Sequence, residues 1–309
     1  MRISPFALKA NVITAIRCAS MVNFSTPIHH ESSLNPLPYL ETHMSNIQTI
    51  YCFNNSTMLK TSDMALMIAA LNTQLPAFCN AWNRPQYRCV AAPSSMRPGS
   101  YMYCNFLDAA DMQGALAYHT ETNNVPFSRV FVKTILSYGG AIQMGATASV
   151  PTVAQAFSHE IYEMIGNQNV NVWWQRPDGN LVPAEVTDPV QGAIVPVKVG
   201  SITVGLSDYV MPNWADPQAT ARPFNFLNTL TRPFQVAKGG YVVLMRGGSM
   251  SYVFGASATS YVMYKADLSA HSHATALCPF ADPVDPVDSV ESVAAVSAPA
   301  PTPTPTPAN

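Results

Sequence analysis

The stretch Ser158-His159-Glu160-Ile161-Tyr162-Glu163-Met164 brings an imidazole and two carboxylates together inside a segment of helical periodicity, Thr152 to Ile165. At about 3.6 residues per turn, His159 and Glu163 lie one turn apart and about 40° around the axis from each other, so both can reach one ion. Glu160 projects about 100° from His159, where it can take a proton from water at that ion without being a ligand. The chemistry this spacing suits is metal-assisted hydrolysis. The competing reading is an amphipathic helix whose His and two Glu face solvent, since a match of four letters arises easily by chance.

Two further positions extend the constellation. Glu185 and Asp188 follow His159 by about 25 residues, a separation at which a third ligand returns to a metal-site helix; one carboxylate then ligates while the other orients a ligand histidine. The spacing leaves open which does which, and Asp188-Pro189 is also an ordinary turn opener. His119 is expected to enter a polar loop, Thr120 to Asn124, from which it can approach the site to bind substrate or stabilise a transition state. Its competing role is that of a structural histidine. Glu163 stands where the H-E-x-x-H motif has its second histidine, and a carboxylate there offers a harder, anionic ligand to a divalent ion such as Zn²⁺.

These residues must be positioned by elements the pattern supplies. Val153, Phe157, Ile161 and Met164 form an apolar arc, so the metal-site helix is expected to bury one flank while the other lines a cleft, with Gly166 as its stop. Upstream, Met64, Met67, Ile68, Leu71, Leu75, Phe78 and Trp82 recur at steps of three and four, predicting a long helix capped by Thr61 or Ser62, with Pro76 inside it. Strands are predicted at Ile47–Phe53, Tyr87–Ala91, Tyr101–Phe106, Arg129–Leu136, Val170–Trp174 and Tyr241–Met245, with weak alternation over Ser251–Tyr264. A hairpin is predicted over Ile194–Val199 and Ser201–Leu206, turning at Gly200. Tyr209 or Trp214 is placed either against the cleft or in the core. The expected architecture is an α+β fold, a mixed sheet packed on a long N-terminal helix and a metal-site helix.

A chain of 309 residues that is 48% hydrophobic can bury one full core. Only 11% of residues are charged and the net charge is -2, so no basic surface recommends nucleic acid as a partner. No apolar run approaches the length that spans a bilayer. Lys9 and Arg17 interrupt any N-terminal apolar run of the kind a secretory signal needs, which points to a soluble protein in the cytoplasm or a virus particle. The six cysteines, Cys18, Cys52, Cys79, Cys89, Cys104 and Cys278, lack a C-x-x-C pair and read as buried thiols, with a disulfide conceivable among Cys79, Cys89 and Cys104. There is no G-x-S-x-G elbow to support a serine hydrolase. Residues 1–43 lack periodicity and read as an extension, 44–280 as the folded domain, and the Pro/Thr-rich segment 281–309 as a disordered tail.

The chain resembles a zincin-like family of bacterial and viral proteins from about Ile47 to about Met245. The resemblance is carried in order by Gly114-Ala-Leu-Ala-Tyr-His119, Pro126-Phe-Ser-Arg-Val-Phe-Val132, Ser158-His-Glu-Ile-Tyr-Glu-Met164, Glu185-Val-Thr-Asp-Pro-Val190, Val204-Gly-Leu-Ser-Asp-Tyr-Val-Met-Pro-Asn-Trp214 and Phe226-Leu-Asn-Thr-Leu-Thr-Arg-Pro-Phe-Gln235. It implies a zincin-like α+β fold and a metal site with His159 and Glu163 as ligands and Glu160 as general base. Its start near Ile47 also marks Met44 as a domain boundary.

Two functions follow as expectations. The first is a zinc-dependent hydrolase acting on a peptide or protein. The second is a structural or interaction protein, assembled into a larger particle such as a virion, that keeps the scaffold and the metal. Retention of Glu160 beside both ligands favours the first; low charge favours the second.

Overall fold

The computed structural model describes residues 47–112, 115–144 and 151–255 with their side chains, and the backbone of 275–276. The expected extension at 1–43 and tail at 281–309, together with Cys18 and Cys278, lie outside the described residues. Within them the fold is α+β.

The sheet that carries the site begins with a strand–helix–strand unit. Strand β1 (Gln48–Asn54) leads into helix α1 (Thr61–Ala81) and returns as the parallel strand β2 (Tyr87–Ala91). Strand β3 (Tyr103–Leu107) pairs in parallel on the other side of β1. The hairpin of β4 (Ala117–Thr122) and β5 (Val125–Phe131) completes the sheet in the order β2-β1-β3-β5-β4, with β4 alone antiparallel. The predicted long helix is thus an internal element following β1. Its N-cap is Lys60, without a side-chain cap; Thr61 is already helical. Met64, Met67, Leu71, Leu75 and Phe78 are buried as their spacing requires. Each such side chain contributes roughly 1.5–3 kcal/mol on burial.

Two expectations are corrected between β4 and the central helix. Thr120 to Asn124 is not a loop: the first three residues continue β4, and Asn123 and Asn124 make the turn at φ 53° and 61°. Asparagine tolerates that left-handed backbone, which makes Asn-Asn a hairpin signal. The predicted strand Arg129–Leu136 divides into the end of β5 and a short helix α2 (Val132–Ser137).

Helix α3 (Val153–Gly166) is the predicted metal-site helix. Thr152 caps it, its hydroxyl accepting from the Gln155 amide at 3.0 Å. At the other end the Arg84 guanidinium donates to the Gly166 carbonyl at 2.5 Å, a cation at the negative pole of the helix. Every residue of α3 is buried, so it has no solvent-facing flank. It packs on β4 and β5 and on strand β9 (Ile202–Ser207). That strand pairs with β8 (Ile194–Val199) in the predicted hairpin around Gly200. Phe157 meets Phe106 of β3 at 5.2 Å between ring centroids, and Tyr162 meets Phe78 and Tyr209 at 4.8 and 4.9 Å.

A second sheet follows α3 in the chain. Its strands are β6 (Val172–Gln175), β7 (Leu181–Pro183), β10 (Tyr241–Arg246), β11 (Ser249–Phe254) and β12 (Thr275–Ala276), in the order β11-β10-β7-β6-β12. Tyr209 and Trp214 are 1% and 0% exposed, so both pack in the core and neither walls a cleft. Cys52, Cys79, Cys89 and Cys104 are buried free thiols, and the disulfide considered among the last three is absent.

Candidate metal centre

Three separate pieces of chain deliver the site. Strand β4 supplies His119, α3 supplies His159, Glu160 and Glu163, and the segment after β7 supplies Glu185 and Asp188. All six are buried, none more than 3% exposed. A helix exposing these groups to solvent is therefore ruled out.

Hairpin pairing sets His119 in register with Ser128, and Ser128 in turn pairs with Cys104 of β3. His119 therefore stands on the sheet surface against which α3 packs. Its Nδ1 lies 3.2 Å from Glu160 Oε2 and 3.5 Å from Glu163 Oε2, and its Nε2 lies 3.6 Å from Glu185 Oε2. On the other side of Glu163, His159 Nε2 is 3.3 Å from Glu163 Oε1 and 3.2 Å from Asp188 Oδ1. Burial opposes the charge of an imidazolium at His159. The Glu163, Asp188 and Glu160 carboxylates outweigh that opposition and raise its pKa from 6.5 to about 10. Burial pushes the neighbouring Cys104 thiol up, and the nearby Cys89 and Glu160 add to the rise.

The donor atoms converge in two overlapping groups. One donor each from His119, Glu163 and Glu185 fall within 4.8 Å of one another, as do donors from His159, Glu160 and Glu163. Two nitrogens and several carboxylate oxygens form a set that suits a divalent ion such as Zn²⁺. Four carboxylates buried together are costly unless paired with cations, and a divalent ion is the compact way to meet that demand. Glu160 Oε1 is buried without a hydrogen-bond partner, as is His159 Nδ1.

All six residues anticipated from sequence thus lie in one cluster, in altered positions. His119 sits among the carboxylates in the middle of a strand, closer to the ligand groups than a residue reaching in from a loop. Glu185 joins a donor group, whereas Asp188 contacts His159. Sequence reasoning missed Thr187, whose hydroxyl donates to Glu163 Oε1 at 2.6 Å while its amide approaches the same oxygen at 3.4 Å. A hydroxyl between two recognised acids was the available signal. It also missed Gly240: a Cβ there would run into the Pro189 carbonyl and come within 3.0 Å of the Asp188 carbonyl oxygen. The start of β10 can pass against the Asp188 turn only because that side chain is absent. A third missed feature is Asp208, which ties the segment after β9 together by accepting from the Tyr209 amide at 2.8 Å and from Asn225 Nδ2 at 2.5 Å.

Compared with models of protein families, with characterised proteins and with solved structures, the chain matches none. The chemistry of the centre therefore rests on its own geometry. Among the described residues no helix is long and apolar enough to cross a membrane.

Proposed function

We propose that this chain is a zincin-like metal-dependent hydrolase, with a peptide bond as its substrate and Glu160 as its general base. The observation that carries the reading is Glu160 itself. One of its oxygens is 3.2 Å from His119, while the other is buried with no hydrogen-bond partner beside the ligand groups. A carboxylate so placed is an acceptor held ready for a proton.

In this reading His119, Glu163 and Glu185 hold the ion, three protein ligands of the kind that catalytic zinc sites use. The ion would supply Lewis-acid polarisation of the scissile carbonyl and make water more acidic. Glu160 accepts the proton of the attacking water at Oε1. Thr187 and His159 fix Glu163 by contacting its Oε1, and Asp188 fixes His159 in turn. Glu160→Gln keeps the shape and removes the base. Cleavage of an unstructured peptide pool by the zinc-loaded parent should fall by about 10²–10⁴ in that variant, with zinc retained at His119, Glu163 and Glu185. Equal cleavage by parent and variant would overturn the assignment.

A second reading is favoured by one observation, the complete burial of the cluster, since structural metal sites are closed and catalytic ones keep an open position. Here the ion staples β4, α3 and the segment after β7 into a scaffold used for assembly into a larger particle. Chelation would then lower the melting temperature of a protein that cleaves no peptide.

A further inference from the structure

We infer that the cluster holds two divalent ions bridged by Glu163; this deepens the metal-centre proposal and depends on it. The two donor groups share Glu163 and no other residue. Its two carboxylate oxygens face different imidazoles, Oε2 toward His119 Nδ1 at 3.5 Å and Oε1 toward His159 Nε2 at 3.3 Å. A carboxylate flanked in this way can give one oxygen to each of two ions. The first group is then His119, Glu163 and Glu185, and the second is His159, Glu160 and Glu163.

Charge points the same way. Histidine ligates as neutral imidazole, so the six side chains carry four negative charges from Glu160, Glu163, Glu185 and Asp188 when both histidines are ligands. One divalent ion leaves two of those charges in a buried cluster, and two ions bring the six groups to neutrality. An independent sign comes from the second group itself, where Glu160 Oε1 is a buried polar atom without a hydrogen-bond partner. Only protein ligands within the second group would be newly engaged by the second ion. One of them is Glu160, so filling that group occupies the base of the one-ion form and acts as a brake on hydrolysis.

The test is a titration of the chelator-stripped full chain with Co²⁺, counting bound metal by elemental analysis after desalting, alongside Mn²⁺ loading read by electron paramagnetic resonance. The expected result is two equivalents in the parent, one in His119→Ala and one in His159→Ala, with a spin-coupled Mn²⁺ pair in the parent that becomes an isolated-ion spectrum in each variant. One equivalent in the parent would overturn the second ion while leaving the hydrolase centre standing. No bound metal would remove both. Two equivalents with uncoupled Mn²⁺ spectra would overturn the bridge. If either variant fails to fold, as judged by circular dichroism, the parent's count and coupling decide the matter alone.

Discussion

Replacing Thr187 by Val tests whether Glu163 is held in place for a metal. Val is close to Thr in shape, and Thr187 is fully buried, so the exchange removes one hydroxyl with little change of volume. That hydroxyl lies 2.6 Å from Glu163 Oε1, closer than the Thr187 amide at 3.4 Å or His159 Nε2 at 3.3 Å. A hydrogen bond to a charged group is worth about 1.5–3 kcal/mol. Every 1.4 kcal/mol is a factor of about ten in affinity, so the expected loss of Zn²⁺ affinity is roughly 10- to 100-fold, the range seen when partners of ligands are removed elsewhere. Competition against a chromogenic chelator measures it, with circular dichroism to confirm the fold and Thr187→Ser as the variant that restores binding. A folded Thr187→Val protein that binds zinc as tightly as the parent would refute the claim that Glu163 is a ligand oriented by this hydroxyl.

Three further outcomes are expected. Gly240→Ala should destabilise the fold by about 1–3 kcal/mol, seen as a lower denaturation midpoint, because the new methyl meets backbone at Pro189 and Asp188. Thr152→Ala should cost about 1 kcal/mol through loss of the α3 cap, measured in the same way. Asp108 accepts from the Ser56 hydroxyl and from the Thr57 hydroxyl and amide, and these bonds hold its pKa below 3.8. A carboxyl depressed in the folded state adds stability above its unfolded pKa and loses it as pH falls through the lower folded value. Asp108→Asn should therefore flatten the acid side of the stability profile below about pH 4, and an unchanged slope in acid-denaturation curves would contradict this.

The helices that frame the centre were legible because their signals are strong. Periodic Met and Leu define α1, and α3 starts at its Thr152 cap and runs through Gly166, the stop expected from sequence, to a C-cap at Asn167. The ligand candidates were legible for the same reason, since imidazoles and carboxylates at fixed spacing are few in a chain of low charge. What sequence could not supply was environment. A helix carrying His159, Glu160 and Glu163 looks amphipathic on paper, yet Glu160 meets His119 and Glu163 meets His159 inside the protein, and the whole helix is buried. The strand carrying His119 was hidden because Thr120, Glu121 and Thr122 are polar and resemble a loop, although the Asn123-Asn124 turn announces a hairpin. The strand order was also out of reach, because β1 comes to lie between β2 and β3 only through pairing over long distances in sequence. Thr187 and Gly240 escaped notice because one does not titrate and the other has no side chain.

The central claim is that these six buried residues form a metal centre with Glu163 at its hub. Its most direct test is the zinc content of the purified, tag-free protein after reconstitution, set beside Glu163→Ala. Bound zinc that survives desalting in the parent and is lost in a folded Glu163→Ala variant is the predicted result. A parent that retains no metal, or a variant that retains as much as the parent, would contradict it.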